Sequence, residues 1–231
     1  FIAEAYWDLE WDLQQLGFDY TYDKKLTDRL RYETSREIHD HLLAENEYQK
    51  KSLRFIENHD EDRAITAFGK EKSKAASVII STIQGMRFYH NGQFEGKKIR
   101  LPLQLGREPE EPVIQGIKNF YKKLIDITTH DIFKNGEWNL LEPIPSWEGN
   151  NSYTNILAWE WRLKNNRRII LVNYSDILST CRLKFDVTGL PDDFQIIDLL
   201  NDQEYYRTTE EVFHMGLYVE LKPWQSHIFS I

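Results

Sequence analysis

Two short segments of the sequence combine acidic, histidine and aromatic side chains that could perform acid/base chemistry. Glu4 follows the apolar residues 1–3 and precedes Trp7 by three positions. Asp60 lies in the stretch RFIENHDEDRA, directly after His59. A carboxyl group can give or take a proton, and a histidine beside it can hydrogen-bond a polar substrate. The two segments together predict acid/base work on a neutral, polar substrate.

Each of these residues also has an ordinary structural interpretation. The chain contains 37 Asp and Glu residues, so some of them lie at strand ends by chance. Asn58 or Asp60 could cap a helix, and a single histidine such as His59 is more often a hydrogen-bonded structural residue than a ligand. The functional interpretation therefore depends on both segments occurring together.

Composition narrows the class of partner. The net charge of -8 disfavours duplex DNA and anionic membranes, which bind clustered Lys and Arg. No apolar run approaches the roughly 20 residues of a membrane span. We therefore expect neutral substrates and neither a nucleic-acid nor a membrane partner. The lone Cys181 cannot form an internal disulfide, which agrees with a cytoplasmic protein, although a chain that starts on a strand could have lost a signal peptide.

The elements that must position these residues follow a βα rhythm over residues 1–135. Short apolar strands alternate with longer helical stretches, which is typical of a parallel sheet. The predicted strands are 1–3, 18–22, 53–57 and 86–90, and the predicted helices are 9–16, 24–32, 35–51, 71–83 and 113–128. Ser35 is the expected N-cap of the third helix, and Pro112 is expected in the first turn of the last one.

After Gly136 the pattern changes to short alternating runs separated by turns. The predicted strands are 137–141, 153–162, 167–174, 182–187, 195–199, 216–221 and 225–231. Strands without a long helix favour an antiparallel sandwich. The sequence thus predicts two domains, 1–135 and 136–231.

The βα rhythm also predicts where the acidic residues meet. In parallel α/β sheets the reacting side chains lie at the C-terminal ends of strands. Glu4 ends the first predicted strand, and Asp60 follows the third. We therefore expect Glu4, His59 and Asp60 to converge on one cleft with Trp7 at its edge.

Three segments resemble a known family in their order and spacing. IAEAYW (2–7), RFIENHDEDRA (54–64) and GMRFYHNGQFEG (85–96) are similar to the later part of the catalytic barrel in glycoside hydrolase family 13, the α-amylase family. The resemblance covers the whole chain. It implies an α/β fold, namely the second half of a (β/α)8 TIM barrel built of parallel βα units, followed by an all-β antiparallel sandwich domain. It further implies a retaining glycoside hydrolase that acts on α-linked glucans or glucosides.

The resemblance also implies roles for individual residues. Glu4 matches the general acid/base, Asp60 the carboxylate that binds and distorts the sugar, and His59 a histidine that hydrogen-bonds the same sugar. Trp7 matches an aromatic position beside the leaving-group sugar. Weaker candidates for lining the cleft are Arg63, Gln93 and Glu95.

One catalytic group is expected outside this chain. The family's nucleophile is an aspartate on the fourth barrel strand, which would precede Phe1, so we expect part of a larger enzyme that is inactive alone. The outer strands of a half barrel would be exposed edges. We expect that the missing N-terminal half covers them, that the chain forms a dimer through them, or that the strands rearrange. No cofactor is implied, and calcium sites of the family draw on segments before Phe1.

Two alternatives stay open from the sequence. A transglycosylase of the same family would use every residue named above. A noncatalytic carbohydrate-binding or partner-binding remnant would use the aromatic residues to hold sugar and the carboxylates only to hydrogen-bond.

Overall fold

The computed structural model describes residues 1–102, 104 and 107–231. The chain forms two compact units, and each is described by itself. Unit 1 comprises Phe1–Glu33 and Asp40–Ile125, and unit 2 comprises Thr34–His39 and Asp126–Ile231. The predicted domain boundary between residues 135 and 136 stays a prediction. Within the described ranges, no helix has the length and apolar character that a membrane crossing requires.

A four-stranded parallel sheet with intervening helices forms in the first part of the chain. Its elements are β1 (Ile2–Ala3), α1 (Glu10–Gln15), β2 (Tyr20–Tyr22), α2 (Lys24–Tyr32), α3 (Ser35–Leu42), α4 (Asn46–Lys50), β3 (Ser52–Arg54), α5 (Ala64–Phe68), α6 (Lys70–Thr82), β4 (Met86–Arg87) and α7 (Gln115–Thr128). The strand order is β1-β2-β3-β4, and all three pairings are parallel. The parallel arrangement predicted for this region is therefore present, with shorter strands than expected.

Apolar helix faces supply much of the core of unit 1. In α2, Leu26 and Leu30 are buried, and the Asp23 carboxylate accepts a hydrogen bond from the Leu26 amide at 3.0 Å as the N-cap. In α6, the small residues Ala75 and Ala76 are fully buried, which allows close packing. Each leucine taken out of water contributes about 2 kcal/mol.

The predicted helix 35–51 is two helices, α3 and α4. Glu45 adopts an extended conformation before α4, so the chain turns without a glycine or proline. The N-cap expectation for Ser35 is also wrong. Thr34 Oγ1 accepts from the Arg36 amide at 3.3 Å, and the Glu37 carboxylate accepts from the Thr34 amide at 3.0 Å, which is a capping box.

The helix α7 begins later than the sequence predicts. It starts at Gln115, so Pro112 lies before the first turn. The Ile114 amide donates to the Glu95 carbonyl at 2.9 Å instead of entering the helix. This bond ties the start of α7 to the segment that follows β4.

The remainder of the chain is mainly antiparallel. Its elements are α8 (Ile132–Asn135), β5 (Glu137–Leu141), β6 (Pro143–Ile144), a 3-10 turn (Ser152–Asn155), β7 (Ile156–Leu163), β8 (Asn166–Asn173), β9 (Ser179–Leu183), β10 (Asp193–Asp198), β11 (Gln203–Thr208), α9 (Thr209–Met215), β12 (Leu217–Leu221) and β13 (Ser226–Ser230). One sheet has the order β11-β10-β13-β8-β7-β5, and the other has the order β12-β9-β6.

Both antiparallel sheets contribute to one apolar core. Leu171 of β8, Cys181 of β9, Val219 of β12 and Phe229 of β13 all belong to it. Neither β11 nor α9 was predicted; β11 was overlooked because the strand QEYYRT is largely polar and lies at the edge of its sheet. The chain thus combines a parallel sheet with helices and a pair of antiparallel sheets.

Candidate active site

The ends of β1 and β3 carry the acidic residues that the sequence singled out. Glu4 directly follows β1. After β3, the buried residues Phe55, Ile56 and Glu57 lead to Asn58, whose Oδ1 accepts hydrogen bonds from the backbone amides of Asp60 and Glu61, both at 2.9 Å. This turn orients the His59 and Asp60 side chains without help from a regular element.

The structure brings Glu4, His59 and Asp60 together. The Nε2 atom of His59 lies 3.7 Å from Glu4 Oε1 and 3.3 Å from Asp60 Oδ2. One ligand atom from each residue lies within 4.8 Å of the other two, so the group could hold a metal ion. The side chains are between 31% and 53% exposed. The cluster is therefore accessible to a substrate and contains two proton-transfer groups beside a histidine.

Tyr6 is a contact of this cluster that the sequence analysis did not assign. Its hydroxyl donates to Glu4 Oε1 at 3.1 Å. Burial of the ring and the charge of Glu4 raise the pKa of the Tyr6 hydroxyl, so the group stays protonated at neutral pH. The spacing i, i+2 on an extended chain places two side chains on one side and could have indicated this contact.

Trp7 is the exposed aromatic residue beside the cluster. Its indole is 83% exposed and meets the Tyr6 ring edge-on, with centroids 5.9 Å apart. Trp7 and Asp8 both have left-handed backbones, at φ 65° and 63°, which non-glycine residues rarely adopt. Lys25 contacts the Asp8 carboxylate at 2.8 Å. This backbone conformation exposes the Trp7 ring to solvent, three residues after Glu4.

The weaker cleft candidates have other surroundings. Arg63 is buried and donates to Glu57 Oε1 at 2.8 Å and to the Ile99 carbonyl at 3.2 Å. Gln93 is buried and donates to the Tyr121 hydroxyl at 2.8 Å. These contacts hold the loops after β3 and β4 together. A substrate contact of Arg63 or Gln93 stays a prediction, and the burial of both side chains does not favour it.

Glu95 and Glu57 are two further acidic residues near these loops. The Glu95 side chain is partly exposed, and its carboxylate lies 4.0 Å from Lys118 Nζ. Glu57 is buried, and its Oε2 accepts from the Ala64 amide at 2.6 Å while Oε1 binds Arg63. Glu57 was not singled out from the sequence, although its spacing from Arg63 within RFIENHDEDRA was visible.

A pocket adjoins the Asp60 side of the cluster. Its volume is about 330 Å³, and it is lined by His59, Asp60, Arg100, Pro102 and Gln104. Arg100 adds a positive charge to a site that is otherwise acidic. Arg100 was not predicted as a site residue, because it follows no strand end and belongs to no motif.

A second acid–histidine cluster in unit 1 is almost closed to solvent. His41 Nε2 lies 2.9 Å from Asp23 Oδ2, and the Arg54 guanidinium binds the same oxygen. Arg54 also donates to the carbonyls of Gln49 and Gln84, at 3.2 and 3.0 Å. Burial lowers the pKa of His41 to about 4, so its imidazole is neutral at pH 7. His41 lines an open pocket of about 410 Å³ with 4% of its side chain exposed, whereas the Asp23 and Arg54 side chains have no exposed surface.

Comparison of the sequence with protein-family models and with curated proteins gives no match. Comparison of the fold with solved structures gives several matches over nearly the whole chain. A maltogenic α-amylase, AmyB from Thermotoga neapolitana, matches at a TM-score of 0.74 and 21% identity, covering 100% of this chain and 54% of that one. An α-amylase from Anoxybacillus matches at 0.73 and 13% identity, with 99% and 51% covered.

A third similar structure is the α-amylase from Geobacillus thermoleovorans, with a TM-score of 0.73, 15% identity and coverage of 99% and 52%. The chain therefore spans about half the length of the solved structures it matches. At these identities the likeness is one of fold. The resemblance to the α-amylase family that the three sequence segments indicated is confirmed at that level.

Proposed function

We propose that this chain forms the second half of a (β/α)8 barrel and the β-sandwich that follows it, in a retaining glycoside hydrolase that acts on α-linked glucans or glucosides. The convergence of Glu4, His59 and Asp60 beyond the ends of β1 and β3 carries the proposal. The sugar complexes among the similar structures support the substrate class, because one holds acarbose and two others hold maltose and maltotriose.

In this proposal Glu4 is the general acid/base. It protonates the glycosidic oxygen as a nucleophile encoded upstream of Phe1 attacks, and it then activates water. The Tyr6 hydroxyl holds Oε1 of the Glu4 carboxylate. Asp60 and His59 hydrogen-bond the sugar whose bond is cleaved, and Trp7 contacts the leaving-group sugar.

The separation of the two carboxylates requires a test of its own. Oxygens of Glu4 and Asp60 lie within 4.8 Å, close to the roughly 5 Å of a retaining pair. We assign Asp60 to sugar binding and not to nucleophilic attack, so the chain alone should not turn over α-glucosides. Turnover by the chain alone that disappears in Glu4→Gln and persists in Glu71→Gln would show that the nucleophile lies within this chain.

The test of the general acid uses the full-length protein. Glu4→Gln should slow cleavage of a natural glucan by about 10² to 10⁴, and an aryl glucoside or glucosyl fluoride far less, because those leaving groups need little protonation. Azide should partly rescue the activated substrate, because an anionic nucleophile needs no base. Equal losses on both substrates and no azide effect would contradict the assignment of Glu4.

Two other functions use the same residues. A transglycosylase would transfer sugar to an added acceptor, which product analysis of the full-length protein would detect. A carbohydrate-binding remnant would bind maltotriose without cleaving any α-glucoside. The proposal has two further parts. The protein lies in the cytoplasm, and the missing barrel half or a dimer covers the outer strands β1 and β4.

A further inference from the structure

A second pocket lies within unit 2, at the open side of the two antiparallel sheets. Its volume is about 200 Å³, and residues of β10, β11, β12 and β13 form its wall. The strands β11 and β12 are each the last strand of their own sheet. The pocket therefore opens where neither sheet continues, and residues of unit 2 alone build it.

His227 is the buried polar group of this pocket. Its Nδ1 lies 2.5 Å from Asp198 Oδ2, and its ring stacks on Phe229 with centroids 4.9 Å apart and planes inclined by 17°. A carboxylate only accepts, so Nδ1 carries the proton of this bond. Within the described residues, Nε2 of His227 has no hydrogen-bond partner. Asp198 and Phe229 thus fix the direction of an imidazole whose second nitrogen is available to a ligand.

The rest of the lining combines aromatic surface with balanced charge. The rings of Tyr205 and Phe229 lie 5.9 Å apart, and the Arg207 guanidinium lies 5.8 Å from the Tyr205 centroid. The Tyr218 hydroxyl donates to Glu220 Oε2 at 3.3 Å. One cation and one anion face the pocket, together with several hydroxyl and ring groups. Such a site does not select a charged ligand.

A neutral sugar ring fits this chemistry. Its C–H face can stack on the aromatic surface, and its hydroxyl groups can both donate to a carboxylate or imidazole nitrogen and accept from a guanidinium. The volume is below the roughly 300 Å³ at which drug-sized pockets begin, which favours a single ring. We propose that this pocket binds one hexopyranose unit of a neutral oligosaccharide, independently of the cluster around Glu4.

The test is an NMR titration of the full chain with maltose. The ring signals of Tyr205 and His227 should shift and saturate. Tyr205→Ala should weaken the affinity read from those His227 signals about tenfold, because it removes the stacking surface. Tyr206→Ala is the matched control, since Tyr206 lies on the opposite face of the same strand and is 69% exposed. It should leave the affinity within about twofold.

A second variant keeps the test decisive if Tyr205→Ala does not fold. Glu220→Gln changes one exposed hydrogen-bond acceptor and should weaken binding by a few-fold. The proposal is overturned if maltose shifts no signal of the pocket, if inorganic phosphate shifts them and maltose does not, or if Tyr206→Ala weakens binding as much as Tyr205→Ala. None of these measurements depends on turnover. The sugar-binding pocket can therefore be tested even if the protein proves not to be a glycoside hydrolase.

Discussion

Unit 1 contains two clusters in which a histidine lies beside an aspartate, one of them exposed and the other buried. Asp60 and Glu4 meet His59 in the open, and the three side chains are between 31% and 53% exposed. Asp23 meets His41 and Arg54 out of contact with water. In the first cluster the carboxylates contact the His59 imidazole and Arg100 lines the adjoining pocket, whereas in the second the Arg54 guanidinium binds the carboxylate and backbone carbonyls bind the guanidinium. The open cluster, around His59, has donors and acceptors that a substrate can reach. In the closed cluster, around His41, the polar groups bind one another and the backbone.

The difference in exposure indicates a role in stability for the closed cluster and a role in catalysis for the open one. A buried charge must be paired and hydrogen-bonded, because desolvation costs several kcal/mol per ion. Asp23 meets this requirement with one oxygen on the Leu26 amide and the other on His41 and Arg54. An exposed carboxylate pays little of that cost and is free to exchange protons with a substrate. Substitutions in the two clusters should therefore affect different properties.

The largest expected effect is the loss of unfolding free energy in the variant Arg54→Met. It leaves Asp23 buried without its cation, which should cost about 3 to 5 kcal/mol of unfolding free energy. Denaturant unfolding at pH 8 and hydrogen exchange of the β2 and β3 amides would measure it. Arg36→Met, at an exposed position, is the control and should change stability by less than about 0.5 kcal/mol. A loss below 1 kcal/mol in Arg54→Met would show that the closed cluster is not needed for the fold.

The next effect is on activity, from Asp60→Asn in the full-length protein. The proposed role of Asp60 is to stabilise the distorted sugar by its charge, so its loss should lower kcat/KM by about 10² to 10³. The reduction should be similar for glucans and for activated glucosides, because the role of Asp60 does not depend on the leaving group. Thermal stability should stay near that of the unmodified protein. A large fall in stability with unchanged kcat/KM would place Asp60 with Asp23 as a structural residue.

Local sequence patterns predicted many of the helices and strands but not the break within the predicted helix 35–51. The predicted helix 24–32 and strand 137–141 match α2 and β5, because apolar periodicity and a following turn define both. The break between α3 and α4 was missed, since residues 43–45 contain neither glycine nor proline. Tertiary contacts decide such a break, and the sequence does not display them locally.

The open cluster was easier to predict than the closed one. Glu4 and Asp60 each follow an apolar strand, and parallel strands bring their C-terminal ends together. Asp23, His41 and Arg54 come from three different elements, up to 31 residues apart, and no motif joins them. Tyr6 was overlooked because a tyrosine among aromatic neighbours is usually a core residue.

A smaller effect is the pH dependence of stability that His41 should produce. Its pKa is about 4 in the fold and about 6.5 in the unfolded chain. Between these values the unfolded chain binds more protons, so stability is fully present above pH 6.5 and falls toward pH 4, by at most about 3 kcal/mol. Urea unfolding at pH 7 and pH 5 would measure the slope, and His41→Gln should flatten it. An equal slope in both proteins would contradict the neutral, buried His41.

The smallest effect concerns the one hydrogen bond that orients the proposed acid. Tyr6→Phe keeps the ring and removes the hydroxyl that donates to Glu4 Oε1, so kcat/KM for a glucan should fall about two- to tenfold in the full-length protein. Tyr32→Phe, which changes an exposed hydroxyl elsewhere, should have no effect. A role through Glu4 requires that Tyr6→Phe cost much less when Glu4→Gln is already present, because the general acid is then absent. If Tyr6→Phe lowers kcat/KM by the same factor in both backgrounds, Tyr6 acts on the substrate or the fold, and the open cluster does not depend on it.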